Sequence, residues 1–463
     1  MAAPQPQSSS FRVYTRWRPP IGNESSLSEM ECRVEQHGTN HSISLASQSN
    51  SKRPRTWKSG PSFARVFPAD AVNADIFEGV VAPTLPRVMN GATCKFFAYG
   101  HSGSGKTHTI IGYNYEDDQH LGLYLSSARN LFRAIAEIKN GLEPSQADDD
   151  LDKEALGIAV RLYEVRGKYA YDLFNNGTEC HVRQGYDGRT YIRGQTEMLE
   201  GGKVRVRPIV AIPCWSYDEL RRVVLDGVEK RKNGSSTVHD ESSRTHAFLE
   251  LEIITKALLE ARDAVIERES ELVPVGKRAT DIYLEEHKRT LIRTPEGMLI
   301  PDPNVPLNQE RIDAAEVEKR ECEARVKEAE DAVADYLKGR RQPCLGGKFV
   351  FVDLAGSEYF DQGAGISGGT TKQTSQERQQ GRQINTDLFA LKEVIRARAS
   401  NQARLPFRSS PLTMVLRDYF LATDDEESAM ILTVSPCESQ IAATMNTLKY
   451  GNLVGDAGGS TKN

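Results

Sequence analysis

Apolar positions recur along the chain at spacings that alternate between those of strands and those of helices. Residues 11–18 alternate well enough for a strand, which two prolines then stop. Helical spacing over residues 70–89 leads into Thr93–Tyr99, an apolar and aromatic stretch that predicts a buried strand, and residues 123–139 carry one apolar helical face. This succession of strands and helices is typical of an α/β layered fold.

The rest of the chain continues this pattern. Residues 158–165, 247–254 and 348–352 are strand-like, and residues 215–232 have helical spacing. Residues 189–213 contain a strand-like run in which Lys203, Arg205 and Arg207 occupy alternate positions and therefore share one face. A solvated strand edge is one explanation of that basic face.

Composition allows a large core and limits the function classes. With 463 residues, 38% hydrophobic and 27% charged, the chain is not mainly disordered, although residues 1–10 and 457–463 predict unstructured ends. No apolar run approaches the roughly 18 residues that span a bilayer, and the scattered cysteines indicate neither a disulfide framework nor a zinc site. A reducing cytoplasm fits this cysteine usage. Because the net charge is −5, any acidic partner must be bound by a local basic patch.

Residues 100–107 read GHSGSGKT and match the phosphate-binding template G-x-x-x-x-G-K-[ST] at every fixed position. The glycines let backbone N–H groups surround a chain of phosphates, and the helix that follows adds its positive end to the attraction. Lys106 can reach the β and γ phosphates, and the Thr107 hydroxyl can bind Mg²⁺. The loop therefore predicts a nucleotide site between a buried strand and a helix.

Two further polar motifs lie where strands begin or end. HDESSRTH occupies residues 239–246, directly before a strand, and DLAGSE begins at Asp353, where another strand ends. A γ-phosphate sensor needs such groups, because an Asp can hold the Mg²⁺ shell, a glycine N–H can meet the terminal phosphate and a serine can complete the metal site. Each motif alone is a weak signal.

Together these motifs resemble the kinesin motor domain, in which order and spacing are specific even though single pieces are not. The matching pieces are RWRP (16–19), FAYGHSGSGKTHT (97–109), SSRTH (242–246), VDLAGSE (352–358), INTDLFALKEVIRA (384–397), LPFRSSPLTMVLRDYF (405–420), MILTVSP (430–436) and TLKYGNLV (447–454). The resemblance implies one motor domain over residues 11–456 with the three-layer α/β fold of a kinesin-type P-loop NTPase. A central, mostly parallel but mixed β-sheet would be flanked by helices.

The resemblance also implies ATP or ADP and Mg²⁺ as ligands, and it assigns the nucleotide-binding residues. Arg16 and Pro19 should flank the adenine, and His108 should stack on it. The phosphates should lie against Ser102, Gly103, Ser104, Gly105, Lys106 and Thr107.

The catalytic roles are assigned in the same way. Ser243 and Thr107 should hold Mg²⁺, with Asp353 acting through water. Gly356 should sense the γ phosphate, while Arg244 and Glu358 should form the ion pair that closes the site and positions the attacking water. These roles make the expected enzyme an ATPase that microtubules stimulate.

Departures from the family pattern bear on turnover. In the first switch, the segment over residues 239–246, His239 stands where the family usually has Asn. In the phosphate loop, His101-Ser102 stands where the family usually has Gln-Thr. The Glu usually found before the Gly of the second-switch helix is Gln380, so a charge that helps order the site and relay the proton is absent. Slow hydrolysis, or replacement by another carboxylate such as Glu377, is the resulting hypothesis.

The family binds its filament through the second-switch loop, its helix and the following loop. Here one carboxylate, Glu393, stands among five basic residues, Lys392, Arg396, Arg398, Arg404 and Arg408. This patch predicts binding to the acidic surface of tubulin, with neither nucleic acid nor membrane as partner, although a merely solvated basic face is an alternative. Pro411 replaces a basic residue expected after FRSS. The helix and loop sequences are closest to the microtubule-depolymerising kinesins, yet residues 21–60 lack their Lys-Val-Asp finger.

Residues 255–345 replace what is a short connection in the family. One helical stripe consists of Leu258, Ala261, Val265 and Leu272, and another of Cys322, Val326, Ala329, Val333 and Tyr336. Four prolines fall between the stripes: Pro274, Pro301, Pro303 and Pro306. The pattern predicts an antiparallel helical hairpin that projects from the motor, with a partly irregular middle. It is either a surface decoration or an arm that binds a protein partner.

Two function classes remain open. The first is a microtubule-stimulated ATPase that converts nucleotide state into movement or filament remodelling. The second is a nucleotide-regulated microtubule tether whose turnover is weak because of His239, Gln380 and Pro411. Both place the protein on microtubules in the cytoplasm, with the spindle among the candidate locations.

Overall fold

The computed structural model describes residues 11–20, 30–47, 55–141, 153–185, 188–233, 244–293, 297–357, 375–400, 402–420, 427–437 and 440–459. The expected tail at residues 1–10 lies outside this set. So do two of the catalytic candidates, Ser243 and Glu358.

A large mixed sheet occupies the centre of the fold. The strands, in chain order, are β1 Phe11–Trp17, β2 Met30–His37, β3 Asn40–Ser47, β4 Arg55–Lys58, β5 Arg65–Phe67, β6 Thr93–Tyr99, β7 Gly157–Arg166, β8 Tyr169–Asp172, β9 Thr178–Gln184, β10 Thr190–Met198, β11 Val204–Pro208, β12 Ile212–Cys214, β13 His246–Ile254, β14 Leu291–Arg293, β15 Leu299–Pro301, β16 Lys348–Asp353 and β17 Glu427–Val434. The order in the large sheet is β11-β10-β9-β8-β7-β13-β16-β6-β17-β1-β5, with β12 paired to β7. Strands β2 to β4 form a separate small sheet, and β14 pairs with β15.

Parallel pairing is confined to one side of the large sheet. Strands β16, β6, β17, β1 and β5 run parallel, whereas β13 is antiparallel to both β16 and β7, and pairing continues antiparallel out to β11. The register places Asp353 beside Ala98, so β16 and β6 end together. In a parallel sheet the carboxyl ends of the strands are where ligands bind. The segments that follow β6 and β16 therefore meet at one edge.

Helices cover both faces of the sheet, which confirms the expected three-layer α/β architecture. The helices are α1 Asn73–Ile76, α2 Leu85–Val88, α3 Lys106–Ile110, α4 Leu123–Gly141, α5 Tyr217–Asn233, α6 Lys256–Arg289, α7 Gln309–Lys338, α8 Ser375–Ala399, α9 Pro411–Val415, α10 Arg417–Phe420 and α11 Ile441–Gly459. One core contains Leu125, Leu131 and Leu220 from α4 and α5, and the other contains Leu391 and Leu448 from α8 and α11. None of the described helices has the length and apolar content needed to cross a bilayer.

The insertion consists of two long helices joined by the β14–β15 hairpin, and we refer to residues 256–338 as the arm. The Thr255 side chain caps α6 by accepting a hydrogen bond from the Leu258 N–H. Ion pairs of Arg278 with Glu318 and of Arg311 with Glu285 show that α6 and α7 run antiparallel. The two helices pack along their length.

Pro274 is a correction to the sequence prediction, because it lies inside α6 rather than between the two helices. A proline in a helix removes one backbone hydrogen bond and crowds the carbonyl four residues earlier. Helix α6 nevertheless continues to Arg289 because α7 packs against it, for example through the Arg278–Glu318 ion pair beyond Pro274.

The base of the arm is fixed to the sheet edge. Lys203, just before β11, and Arg205 on β11 lie 3.0 and 2.6 Å from the Glu267 carboxylate of α6, and Lys203 is also 3.4 Å from Glu271. The arm therefore supplies counter-charges for these two residues, whereas the third member of the basic face, Arg207, is solvent-exposed and pairs with Glu197 of β10. Helix α6 covers an edge strand that would otherwise offer unpaired backbone groups.

Helix α11 continues to Gly459, so the first three residues of the segment predicted to be unstructured, 457–459, are helical. Leu448 and Val454 are fully buried and hold the preceding turns, so the glycine-rich sequence after them does not end the helix at once.

Candidate active site

The phosphate loop connects β6 to α3 at the carboxyl edge of the parallel strands. Gly103 and Gly105 have positive φ angles of 76° and 99°, and Gly105 is the residue from which α3 begins. Such angles favour glycine because a side chain would crowd the backbone. The buried Lys106 ammonium donates to the carbonyl oxygens of Gly100 and His101 at 3.1 and 2.9 Å. The lysine is thus held directly beneath the loop.

Thr107 and Asp353 meet across the gap between α3 and β16. The Thr107 hydroxyl donates to Asp353 Oδ2 at 2.8 Å. Asp353 is 2% exposed, and its Oδ1 has no hydrogen-bond partner among the described atoms. A buried carboxylate oxygen without a partner, next to a hydroxyl, suits a hard cation such as Mg²⁺. No cluster of three or more Asp, Glu, His or Cys side chains occurs in the described part of the chain, so phosphate and water oxygens would complete the coordination.

Gly356 lies against the phosphate loop. A Cβ atom at this position would come within 2.8 Å of the Ser102 nitrogen and 3.2 Å of Lys106 Nζ, so only glycine fits. The next residue, Ser357, donates its N–H to the Gly100 carbonyl at 3.3 Å. The segment after β16 therefore runs beside the loop, as a sensor of the terminal phosphate requires.

The candidate adenine-binding residues occupy the end of β1 and the start of α3. Arg16 is buried and donates to Thr109 Oγ1 at 2.9 Å and to the Ala71 carbonyl at 3.3 Å, and burial lowers its pKa to about 10. Burial, together with the charges of Arg16 and His120, lowers the pKa of His108 to about 4. The His108 ring is therefore neutral near pH 7 and suited to stacking. Pro19 is exposed.

Arg231 is a buried charge that sequence reasoning missed. Its guanidinium lies 2.5 Å from Glu164 and 3.3 Å from Asp353 Oδ2, and it also donates to Thr245 Oγ1 at 3.2 Å. Burial acts to lower the pKa of Arg231, but the carboxylates of Glu164 and Asp353 outweigh it and raise that pKa. This ion cluster fixes the Asp353 carboxylate. In the sequence, Arg231 is one of several basic residues in EKRKNG, and nothing local distinguishes it.

His246 was also missed, although it belongs to the SSRTH motif. Its ring Nδ1 accepts a hydrogen bond from the Ala355 N–H at 3.1 Å, one residue before Gly356. Its Nε2 faces Asp387 Oδ2 of α8 at 3.9 Å. Strand β13, the segment that follows β16 and helix α8 therefore all meet at the His246 ring.

The remaining catalytic candidates are only partly described. Arg244 lies two residues before β13, but Ser243 and Glu358 fall outside the described residues. The ion pair between Arg244 and Glu358 and the serine ligand of Mg²⁺ stay predictions, as does the effect of His239.

The basic residues proposed for filament binding lie on α8 and on the loop before α9. Arg396 pairs with Glu393 at 2.8 Å, Arg398 lies 5.9 Å from the centre of the Phe420 ring, and Arg408 donates to Gln184 Oε1 at 2.8 Å. Lys392 is half-buried and Arg404 is exposed. The outward face of α8 also carries Phe389, which is 61% exposed and was not singled out from the sequence.

Comparisons with known proteins identify the family of the chain. The family model described as the kinesin motor domain matches residues 16–275 and 323–456. The chain is 26% identical over 392 residues to Kinesin-like protein KIF24 of Mus musculus, a match that covers 85% of this chain and 20% of that protein. Kinesin-like protein KIN-13B of Arabidopsis thaliana is 26% identical over 392 residues, covering 85% of this chain and 39% of that protein. The chain thus spans less than half the length of these relatives.

Solved structures show the same fold. The motor domain of the kinesin-like protein Kar3 of Saccharomyces cerevisiae matches with a TM-score of 0.56 at 20% sequence identity, covering 96% of this chain and 99% of that chain. The C-terminal motor and motor homology domain of Kar3Vik1 matches with a TM-score of 0.57 at 18% identity, covering 96% and 84% of the two chains. The family model covers most of the chain on both sides of residues 276–322 and so confirms the resemblance seen in the motifs: the chain belongs to the kinesin motor domain family.

Proposed function

We propose that this chain is an ATP-hydrolysing motor domain that binds microtubules and couples its nucleotide state to movement or filament remodelling. The observation that carries the proposal is the convergence of Lys106, the Thr107–Asp353 hydrogen bond and Gly356 at one edge of the sheet. These groups can hold the phosphates, hold a metal ion and report the terminal phosphate, which is what phosphoryl transfer to water requires.

In this proposal each residue has a separate task. Lys106 and the N–H groups of residues 102–107 bind the phosphates, and Arg16 and His108 support the adenine side together with Pro19. Thr107 and Ser243 would hold Mg²⁺, with Asp353 bound through water, and the ion would supply positive charge that stabilises the phosphate oxygens during transfer. Gly356 senses the γ phosphate. The pairing of Arg244 with Glu358 positions the attacking water.

Microtubule binding is assigned to the exposed side of α8 and the loop before α9. Basic residues there provide the local positive charge that the net charge of −5 does not provide. We expect this patch, comprising Lys392, Arg396, Arg398, Arg404 and Arg408, to bind the acidic surface of tubulin. The protein would then be found on microtubules in the cytoplasm.

A steady-state ATPase assay with and without microtubules tests the proposal. We expect microtubules to raise turnover, and Lys106→Ala to abolish it by removing the phosphate-binding ammonium. Lys139→Ala is the matched control, because this exposed lysine lies at the end of α4, away from the site. Microtubule binding without stimulated hydrolysis would favour the tether instead, for which Gln380 and Pro411 provide the chemical reason.

Residues 276–322, which we call the outer arm, are a candidate for binding a protein partner. The family model does not match residues 276–322, so this part is an addition to the family's motor. Its hairpin exposes Leu291, Ile292, Met298, Leu299 and Ile300 to solvent. Exposed apolar residues in such a cluster are typical of interaction sites. Loss of cellular targeting, with unchanged ATPase activity, on exchanging Leu299 and Ile300 for serine would support this role, and unchanged targeting would contradict it.

A further inference from the structure

His246 connects the phosphate-sensing segment to α8. It is the first residue of β13 and is 1% exposed. Its Nδ1 accepts the Ala355 N–H at 3.1 Å, and Ala355 is followed by Gly356, which has no room for a side chain against Ser102 of the phosphate loop. A displacement of the Ala355–Gly356 backbone therefore changes the contact to the His246 ring.

The tautomer of His246 follows from this contact. Because Nδ1 accepts a hydrogen bond, it carries no proton, and the proton of the neutral ring is on Nε2. Burial, with added repulsion from the charges of Lys106 and Arg231, lowers the pKa of His246 to about 3, so the ring is neutral at physiological pH. Nε2–H is a buried donor, and it has no hydrogen-bond partner among the described residues. A donor left in this state destabilises the fold.

The group that faces this donor is the Asp387 carboxylate of α8. Asp387 is 2% exposed, and its Oδ2 lies 3.9 Å from His246 Nε2, which is too long for a hydrogen bond. Its Oδ1 accepts from Gln383 Nε2 at 3.1 Å, one turn earlier on α8. Ser410, the cap of α9 next to the basic loop, also acts to lower the pKa of the Asp387 carboxyl. Donor and acceptor are buried face to face, with a gap that a small shift of α8 would close.

We propose that His246 and Asp387 are a positioning pair, in which the Nε2–H to carboxylate hydrogen bond forms when the γ phosphate is bound and opens when it is lost. In the closed state Asp387 fixes the His246 ring, and the ring in turn fixes the Ala355–Gly356 backbone beside the phosphate loop. The same carboxylate accepts from Gln383, one turn earlier on α8, and interacts with Ser410 at the start of α9. The pair thereby links the phosphate loop to the proposed microtubule-binding face, and the inference rests on the nucleotide binding proposed above.

The competing explanation is that His246 and Asp387 are ordinary buried polar residues that only stabilise the fold. The two explanations differ in what they predict for nucleotide preference. A stabilising pair affects ATP-bound and ADP-bound protein equally, whereas a pair that closes only with the γ phosphate favours the ATP-like state.

The test measures the dissociation constants of ADP and of the non-hydrolysable analogue AMP-PNP by titration calorimetry without microtubules. We expect Asp387→Leu to weaken AMP-PNP binding roughly tenfold, the size of one hydrogen bond to a charged group, and to leave ADP binding unchanged. His246→Leu should have the same effect, and the double variant should be no worse than either single variant. Asp387→Asn keeps an acceptor oxygen and should restore the preference.

Equal weakening of both nucleotides, or additive effects in the double variant, would overturn the pair. Asp172→Asn serves as the control for lost stability, because Asp172 is also buried but lies at the end of β8 and accepts from the Val210 N–H. It should lower the melting temperature without changing the ratio of the two dissociation constants.

A measurement on the unchanged protein covers the case in which the leucine variants do not fold. With ¹⁵N-labelled histidine, the Nε2–H proton of His246 should give a slowly exchanging signal with AMP-PNP and a faster-exchanging one with ADP. The same signal in both states would contradict the pair alone. A wild-type protein that binds neither nucleotide would contradict the proposed function as well.

Discussion

Asp387 carries a charge at a position where burial opposes it. Burial raises the pKa of this carboxyl from its ordinary value of 3.8 to about 6, although hydrogen bonds from Gln383 and Ser410 act to lower it. The folded state therefore favours the protonated form. The contribution of the protonated Asp387 carboxyl to the free energy of unfolding is fully present below about pH 4 and is lost as the pH rises to about 6.

We therefore expect Asp387→Asn to stabilise the protein above pH 6, by on the order of 2–3 kcal/mol in the free energy of unfolding. The gain should disappear below pH 4. Urea unfolding of both proteins between pH 4 and 8 checks this. His246 titrates in both proteins, so its own contribution largely cancels from the difference. A gain that does not change with pH would show that the asparagine acts through packing rather than through charge.

Phe389 is the large apolar residue on the outward face of α8, where Arg396 also lies. Aromatic residues and arginine are enriched in protein–protein interfaces. We expect Phe389→Ala to weaken microtubule binding roughly tenfold and to leave ATPase activity without microtubules unchanged. Co-sedimentation with microtubules measures the first effect. Thr386→Ala, one turn away on the same face, is the control, and equal effects of the two substitutions would contradict a special role for the ring.

The site residues that sequence could predict are those fixed by local spacing. Lys106 and Thr107 are set by the phosphate-loop template, and Asp353 by its place at the end of an apolar strand. Arg231 and Asp387 could not be found in this way. Arg231 is 122 positions from Asp353, and Asp387 stands in a helix whose periodicity says only that the position is buried. Their partners are brought to them by the sheet, not by the sequence around them.

At the scale of elements, β13 is held at its centre by buried charges. Glu252 accepts from Arg161 at 2.9 Å and from Arg262 of α6 at 2.6 Å, and Glu250 accepts from the Tyr419 hydroxyl at 2.8 Å. Burial acts to raise the pKa of Glu252, but Lys348, Arg161 and Arg262 hold it well below its usual range. The arm is therefore attached to the sheet by a buried contact as well as by the exposed pairs on β11.

These two attachments should differ in strength. Glu252→Ala removes the buried carboxylate that pairs with Arg262 and leaves Arg161 and Lys348 to share Glu250, and it should destabilise the protein by about 3–5 kcal/mol. Glu267→Ala removes solvent-screened pairs with Lys203 and Arg205 and should cost much less. Chemical unfolding of the two alanine variants compares them directly. Equal losses would mean that the β11 contacts, rather than the buried cluster, hold the arm.

Strands β1, β6, β7, β13 and β16 and helices α4 and α5 followed from periodicity, because apolar spacing reports which face is buried. Helix α6 is an exception, because it continues through Pro274 and the tertiary structure explains why. Local propensity ends a helix before Pro274, and only the partner helix α7, supplied from about fifty residues further along, makes continuation favourable. Lys203 and Arg205 are similar, since their counter-charges come from the same distant insertion.

At the scale of the whole molecule, the outer arm is separable from the motor. Arg262, Glu267 and Glu271, which contact the sheet, precede residue 276, and Tyr336, which bonds to Thr255, follows residue 322. Replacing residues 276–322 by a short glycine-containing turn should therefore leave nucleotide affinity unchanged and shift the melting temperature by no more than roughly 5 °C. Calorimetry and nucleotide titration check this. Loss of nucleotide binding would show that the outer arm supports the motor itself.

The position of the hairpin at the end of the arm has a further consequence. Met298 is 62% exposed, and a chain break beside it would divide the protein into one fragment with the phosphate loop and another with β16 and α8. Helices α6 and α7 would remain as the natural connection between the fragments, since their packing and ion pairs do not depend on the hairpin. Two polypeptides produced separately should therefore assemble into a working nucleotide site, with activity that depends on their concentration. The insertion makes this chain a natural starting point for a split motor that is switched on by bringing its halves together.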